Sequence, residues 1–512
     1  MPDSSPLRQG HDPVLRPVLR VGVRVGALTL GGLTPQAVRL LAGLLADPVL
    51  AVRVFSVPAP ESEPLSAALG AVLAAERLLV PAPRRTALPD LPVFRLEPAA
   101  AVRDAALDVI LDLGGGAVDD GLAKAAAHGL WRVAAAPLRD VIAGATCTEA
   151  TLLRHGGGVG PARIIARAVY DTKPLATHNA AYVFEKSAQV ILREVKRLAL
   201  QGVVADLGPE VLPAPVTPSG ARAYLRQTAG KTVERLGKWV ERRRGIVRQG
   251  FTLRIGHGAP LNFDPAVARP VKMPEGGLWA DPFLIAQDRA VYCFFEDVDP
   301  VAGRGHISVG RVTEAGLAEV QVALKMPHHM SYPFVFHHDG ALLMMPEVHA
   351  AGRLEIWRCT GFPTKWELYS TAFEGTPVAD STLLERDGVW WLFTHISRDR
   401  FGDFCSDLHV FRVDGPQLTG LVPHRLNPVV TDASTARGGG RIHAAEGRLL
   451  RFSQDNSAGS YGGALNVMEI LRLDLEHYEE RRLRHITPDF APGLSGTHHF
   501  DALDGWFVID VR

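Results

Sequence analysis

Carboxylates recur at matching places in the second half of this 512-residue chain. Asp281 in "WADPFL" and Asp380 in "VADSTLL" stand just before apolar, β-prone runs. Glu296 in "FFED", Glu347 in "MMPE" and Asp455 in "FSQD" end the runs that follow. Two carboxylates across a pocket are the minimum for acid–base work on an acetal. One gives a proton to the leaving oxygen and the other activates the incoming group. Asp281, Asp380 and Glu347 are therefore the candidate catalytic residues, with Glu347 or Glu296 as the acid. Ser331, Tyr332, His329, Arg437, Asp455, His498 and His499 are candidate substrate-binding residues. Trp279, with Tyr332, Trp390 and Trp391, is a candidate platform for a sugar face. An Asp before Pro or Ser often only caps a turn. Recurrence at one repeat position, beside an arginine and two histidine pairs, favours a shared pocket.

The pairs His328–His329 and His498–His499 raise a metal centre as an alternative. Adjacent side chains on a strand point to opposite faces, so only one of each pair should reach the pocket. Hydrogen bonding to sugar hydroxyls is the preferred reading. No metal and no cofactor is assigned.

The elements that must position these residues form a repeat. Each copy has a short polar start, an apolar strand, an Asp/Gly turn and an aromatic strand. The copies are "WADPFLIAQDRAVYCFFED" (279–297), "SYPFVFHHDGALLMMPE" (331–347), "VADSTLLERDGVWWLFTH" (378–395), "ARGGGRIHAAEGRLLRFSQD" (436–455) and "GTHHFDALDGWFVIDV" (496–511). Five copies at roughly fifty-residue spacing predict an all-β five-bladed β-propeller over 251–512. Inner strands of a propeller start near the axis, so the five polar starts converge.

The first half alternates strands and helices and predicts an α/β Rossmann-like domain over 18–205. "VLRVGVRVGAL" (18–28), "AVRVFSV" (51–57) and "AALDVILDLGGG" (105–116) read as strands. "TPQAVRLLAGLLAD" (34–47) reads as a helix capped by Thr34 with Pro35 in its first turn. "NAAYVFEKSAQVILREVKRLAL" (179–200) reads as a long amphipathic helix. Residues 1–17 read as a disordered tail. Residues 206–250 read as a linker containing the basic helix "GKTVERLGKWVERRRG" (230–245).

Fifty-five basic and fifty-five acidic residues leave no net charge, which argues against nucleic acid as partner. No apolar run has membrane-spanning length, and the first residues carry no signal-peptide pattern. Four widely spaced cysteines without a CxxC pair fit a reducing cytoplasm. Much Ala, Gly, Arg and Pro with little Lys is the composition of a GC-rich bacterial genome. The expected partner is a small molecule or glycan, and the first half is a candidate homodimer surface.

"WADPFL", "FFED", "GHISVG", "HHMSYPFVF", "MMPE", "FPTKWE", "WWLF", "LNPVV", "ARGGGRI" and "RFSQD…YGG" follow one another through about residues 276 to 485. This stretch resembles the N-terminal domain of plant glucosamine inositol-phosphorylceramide transferases and its bacterial relatives. The resemblance implies a five-bladed propeller; the transferase chemistry is attributed to another domain of the plant proteins. More distantly the stretch looks like five-bladed glycosidases of furanosides and arabinans. That likeness implies an Asp at the start of the first and third blades, matched by Asp281 and Asp380. It also implies a Glu acid at the fourth, where this chain reads "TARGGGRI" with Arg437. A basic residue there suits a phosphate or phosphosugar.

"DVILDLGGG", "HGLWRVAAAP" and "ATLLRHGGG" in the first half resemble tetrahydrofolate-dependent formyltransferases. The segment that should carry Asn and His reads Val133-Ala134-Ala135-Ala136, and the Asp loop reads His155-Gly156-Gly157. The resemblance therefore implies a catalytically dead relative, with Asp112 and His128 structural. The function expected is cleavage or transfer of a sugar, phosphate-linked in one version. The alternatives are glycan or phosphosugar binding without turnover, and formyl transfer to an amino sugar.

Overall fold

The computed structural model describes residues 18–25, 33–56, 67–79, 90, 96–97, 104–114, 118, 120–156, 160–210, 223–230, 250–299, 303–457 and 459–512. The expected tail and almost all of the expected basic helix lie outside the described residues. No helix among those described is long and apolar enough to cross a membrane.

The first half is built on a seven-stranded sheet: β1 (Leu19–Val25), β2 (Leu50–Ser56), β3 (Leu96–Glu97), β4 (Val109–Asp112), β5 (Leu130–Ala135), β6 (Cys147–His155) and β7 (Arg163–Asp171). Their order is β3-β2-β1-β4-β5-β6-β7. The first five strands pair parallel; β5–β6 and β6–β7 pair antiparallel. The helix Pro35–Leu45 starts as its sequence predicts, with Thr34 Oγ1 accepting from the Ala37 amide at 3.2 Å. From its buried face, Leu40, Leu41 and Leu44 join one core with Val21, Val23, Trp131 and the long helix Ala176–Gln201. Asp112 is buried against Arg24 and Arg132, a structural ion-pair group.

The second half is propeller-like and consists of five antiparallel units. The first comprises strands Leu278–Gln287, Ala290–Val298, Gly305–Thr313 and Gly316–Leu324. The second comprises Ser331–His338, Ala341–Glu347, Leu354–Gly361 and Lys365–Ala372. The third comprises Val378–Arg386, Val389–Ile396, Asp407–Val413 and Val422–Pro423. The fourth comprises Gly438–Ala445, Arg448–Asp455, Ala464–Leu473 and Tyr478–Ile486. The fifth joins Phe500–Leu503 and Trp506–Val511 to Thr252–His257 and Arg269–Pro270, which precede the first blade in sequence. Each inner strand packs on the next, and Phe500–Leu503 packs back on Leu278–Gln287. Phe283, Phe294 and Phe295 are wholly buried, each worth roughly 2–3 kcal/mol of apolar burial.

Inner strands begin with a bulge. Pairing slips between Ala280 and Phe283, Ser331 and Phe334, Ala379 and Thr382, and Gly438 and Ile442. Asp281, Tyr332 and Asp380 sit in these bulges at φ of 51°, 47° and 41°. Asp tolerates the left-handed region; a tyrosine there is strained and needs outside support. Tyr332 has it. Its hydroxyl bonds both the carbonyl and the amide of Gly440 at 3.1 Å, and its own amide donates to Asp281 Oδ2 at 3.2 Å.

Candidate functional site

A cavity of about 310 Å³ opens at the convergence of the strand starts. Asp281, Glu296, His329, Ser331, Glu347, Asp380, Arg437 and His498 line it, with Phe251, Leu278, Ala280 and Tyr461. The bulges aim these groups inward, and neighbouring blades lock them. Asp510 Oδ2 accepts from the Asp281 amide (3.2 Å), and Asp281 Oδ2 accepts from the Tyr332 amide. Glu347 Oε2 accepts from the Asp380 amide (3.2 Å), and His395 Nε2 accepts from the Gly438 amide (2.9 Å). One side chain thus ties the fifth, first, second and third blades each to the start of the next.

The register corrects the repeat alignment. Glu296, Glu347, His395 and Ser453 lie opposite Ala280, Ser331, Ala379 and Gly438. Ser453, not Asp455, is the fourth-blade counterpart of the two glutamates. Asp455 does not line the cavity; it bonds Ser457 and pairs with His485 at 3.2 Å. Arg437 precedes the fourth inner strand instead of sitting in its bulge, and still reaches the cavity. The glycine run behind it has a steric reason. Gly440 has φ 133°, and a Cβ there would lie 1.9 Å from the Phe500 carbonyl oxygen.

The aromatic expectations also change. Trp279 is buried against Phe295, with ring centroids 4.6 Å apart, and belongs to the core between the first and fifth blades. Trp391 is core in the third blade, and Trp390 packs on His338. None of the three lines the cavity, because outward-facing positions of these strands serve blade packing. Tyr332 and His499 lie beneath the cavity, fully buried against Phe283. The aromatic rings at the wall are Phe251 and Tyr461, both of which sequence reasoning missed. The second is the one near Arg437. It sits on the loop "NSAGSYGG" after the fourth blade's second strand, and that loop's length was the available signal. Arg437 lies over the Tyr461 ring at 5.4 Å.

Both residues of the last histidine pair reach one carboxylate. His498 Nε2 and His499 Nδ1 lie 3.4 and 3.5 Å from Asp281 Oδ1. They precede the strand Phe500–Leu503, so strand alternation does not separate them. His498 Nδ1 faces Asp510 Oδ2 at 2.8 Å. Burial opposes charge on His498, but Asp510 and Asp281 overcome it and raise its pKa. Asp510 was also missed; a lone Asp in the apolar strand "WFVIDV" was its signal. Asp281, His498 and Asp510 present ligand atoms within 4.8 Å of one another and could hold a cation. Of the first pair, His329 lines the cavity and His328 does not.

The glutamates differ sharply. Burial raises Glu296 to about 7, and Asp281 and Glu347 add to the rise while His329 opposes it. His329 Nδ1 accepts from the Gly305 amide at 2.9 Å, so its proton sits on Nε2, 3.2 Å from Glu296 Oε1. Burial would also raise Glu347, but His349 at 2.9 Å, Arg437 at 3.4 Å and a hydrogen bond with the Asp380 side chain hold it at about 2, while burial and Glu347 raise Asp380 against the pull of Arg437. Asp380 is paired with Arg437 Nε at 2.6 Å. A carboxyl that titrates near neutral pH therefore stands beside one, Glu347, that stays ionised, the pairing acid–base chemistry requires.

The fold and site define a propeller-like domain with a carboxylate-rich axial cavity. Within it, residues 268–490 match the family described as glucosamine inositolphosphorylceramide transferase 1, N-terminal. Glucosamine inositolphosphorylceramide transferase 1 of Arabidopsis thaliana is 29% identical over 277 residues, 48% of this chain and 35% of that protein. The protein of the same name from Oryza sativa subsp. japonica is 35% identical over 243 residues, 45% of this chain and 32% of that protein. The match thus spans about a third of each relative's length. Similar solved structures include an α-L-arabinofuranosidase from Lactobacillus brevis (TM-score 0.34, 15% identity, 46% of this chain, 83% of that one). Another is the catalytic domain of the Coprinopsis cinerea GH62 α-L-arabinofuranosidase (TM-score 0.36, 9% identity, 51% and 97%).

Proposed function

We propose that the cavity takes one sugar residue and cleaves or transfers it by acid–base chemistry. Glu296 gives its proton to the glycosidic oxygen as the C–O bond breaks. Asp281 takes the proton of the incoming water or acceptor hydroxyl as the new C–O bond forms. Glu347 stays ionised and acts with Arg437 to hold Asp380 and the sugar hydroxyls, so the acid is Glu296 and not Glu347. The observation that carries this reading is the pair of unlike glutamates around one cavity. Asp380 and Glu347 occupy the Arg437 charge, which disfavours a phosphate at that point. The surplus of carboxylates suits a neutral or amine-bearing sugar, in keeping with the glucosamine in the names of the matched relatives.

A panel of aryl glycosides, amino-sugar glycosides and sugar phosphates, with product analysis, tests this. Product formation lost in Glu296→Gln supports it; no product from any member contradicts it. Binding without turnover is the second reading. Asp281, Glu347 and His395 all serve backbone amides, which gives these residues a purely architectural use. Calorimetry showing equal sugar affinity in wild type and Glu296→Gln, without product, favours it.

For the first half we read a catalytically inert, formyltransferase-like domain. The strand order and the alanines at the positions where side-chain chemistry is needed support that reading. Ala134, Ala135 and Ala136 line a separate cavity with Arg139, Asp140 and Glu149. Incubation with formyl-tetrahydrofolate and amino sugars should give no formylated product.

A further inference from the structure

The two halves meet along the third-blade segment between strands Val389–Ile396 and Asp407–Val413. On one side this segment is gripped by the long helix Ala176–Gln201. Lys186 is fully buried, and its ammonium lies 2.8, 3.0 and 2.7 Å from Asp399, Asp403 and Asp407. The Tyr182 hydroxyl donates to Asp403 at 2.8 Å and lies 3.1 Å from Ser406 Oγ. Glu185 accepts from Arg400 Nε at 2.8 Å and from the Arg400 amide at 3.3 Å.

On its other side the same segment reaches the partners of two cavity-lining residues, Glu347 and Arg437. Phe404 packs on His349, with centroids 6.1 Å apart, and His349 is the partner of Glu347. The Cys405 thiol lies against the Arg437 guanidinium. The Asp407 carbonyl accepts from His395 Nδ1 at 3.0 Å, and His395 Nε2 accepts from the Gly438 amide beside Arg437. A continuous chain of contacts thus runs from Lys186 through Asp407, His395 and Gly438 to the arginine that holds Asp380. Each of the three carboxylates would lose its contact with the ammonium on moving away, which holds the root of the chain in place. A second tether adjoins it: the Ala433 amide donates to the Val169 carbonyl at 2.8 Å, and the Asn456 amide, on the loop that carries Tyr461, donates to the Ala433 carbonyl at 2.9 Å.

We propose that the α/β half is a positioning domain for the propeller cavity, and that Lys186 is its positioning residue, acting through Asp407 and the Phe404–Cys405 turn on Arg437 and Glu347. This inference goes beyond the functional reading and holds whether the cavity turns a sugar over or only binds it.

Alkylation and titration of the full-length chain test it without any substrate. Iodoacetamide labelling is read by mass spectrometry at Cys147, Cys293 and Cys405, and His349 is titrated by NMR. Cys147 is exposed and should react fast; Cys293 is buried in the first blade and reports on the fold. Cys405 should react slowly in the wild type, its thiol raised to about 11 by burial. In Tyr182→Phe, Glu185→Gln and Lys186→Met, Cys405 labelling should rise about tenfold or more while Cys293 stays protected. The pKa of His349, raised by Glu347, should fall in the same variants. Lys186→Arg should return both readings toward wild type. Unchanged Cys405 and His349 in folded variants would overturn the proposal. So would Cys405 and Cys293 rising together in Tyr182→Phe. If Lys186→Met fails to fold, the Tyr182 and Glu185 variants decide alone.

Discussion

Glu296 and Glu347 occupy the same position in adjacent blades, opposite Ala280 and Ser331, and their pKa values move in opposite directions, to about 7 and about 2. The difference comes from their partners. Glu347 has an arginine, a histidine and a backbone amide; Glu296 has one histidine whose proton is already directed at it.

This asymmetry has a signature in stability. The pKa of Glu296 is raised from 4.5 to about 7, so the folded state holds its proton after the unfolded chain has lost it. Its contribution is complete below pH 4.5 and is lost as pH rises through 7. Glu347 has the opposite sign: its contribution is present above pH 4.5 and is lost as pH falls toward 2. Glu296→Gln should therefore be more stable than wild type at pH 8, by about 1–3 kcal/mol, and the gain should vanish near pH 4.5. Urea unfolding at the two pH values measures it.

Removing Arg437 strands two buried carboxylates. Arg437→Met should cost about 3–5 kcal/mol, and Arg437→Lys should recover only part, because a lysine cannot serve Asp380 and Glu347 with separate guanidinium nitrogens. Thermal melts at pH 7 are the check, and the loss should shrink as pH falls.

Gly440→Ala sets a Cβ against the Phe500 carbonyl and the hydrogen bonds from Tyr332 to the same residue. Backbone cannot give way there as a flexible side chain would. A loss of roughly 3 kcal/mol or more in urea unfolding is expected, well beyond an average substitution.

Asp281→Asn keeps an oxygen for the Tyr332 amide and removes the charge beside His498. Turnover should fall about a hundredfold or more while the protein melts near the wild-type temperature. Normal turnover with a lowered melting temperature would make Asp281 a turn residue.

Much of the site could be read from sequence because repetition exposes it. Asp281, Asp380 and Glu347 stand out when the copies are aligned; bulges place the two aspartates, and the register opposite Ser331 places Glu347, in one cavity. The copies did not reveal register. Asp455 looks equivalent to Glu347, but the fourth-blade pairing sets Ser453 there. Nor did they show that the last blade borrows Thr252–His257, which carries no repeat signature. Tyr461 and Lys186 lie outside the repeat, on a loop and on a helix of the other half. Lys186 reads as one more cation on an amphipathic helix, since only the packed chain brings Asp399, Asp403 and Asp407 around it.

The central claim is that Glu296 donates the proton to the leaving oxygen. The pH–rate profile of the wild type, set beside Glu296→Gln on the best substrate of the glycoside panel, tests it most directly. The expected wild-type rate falls as pH rises through about 7, and the variant is slower by about a hundredfold or more and has lost this limb. A variant with wild-type rates and an unchanged limb near pH 7 would contradict it.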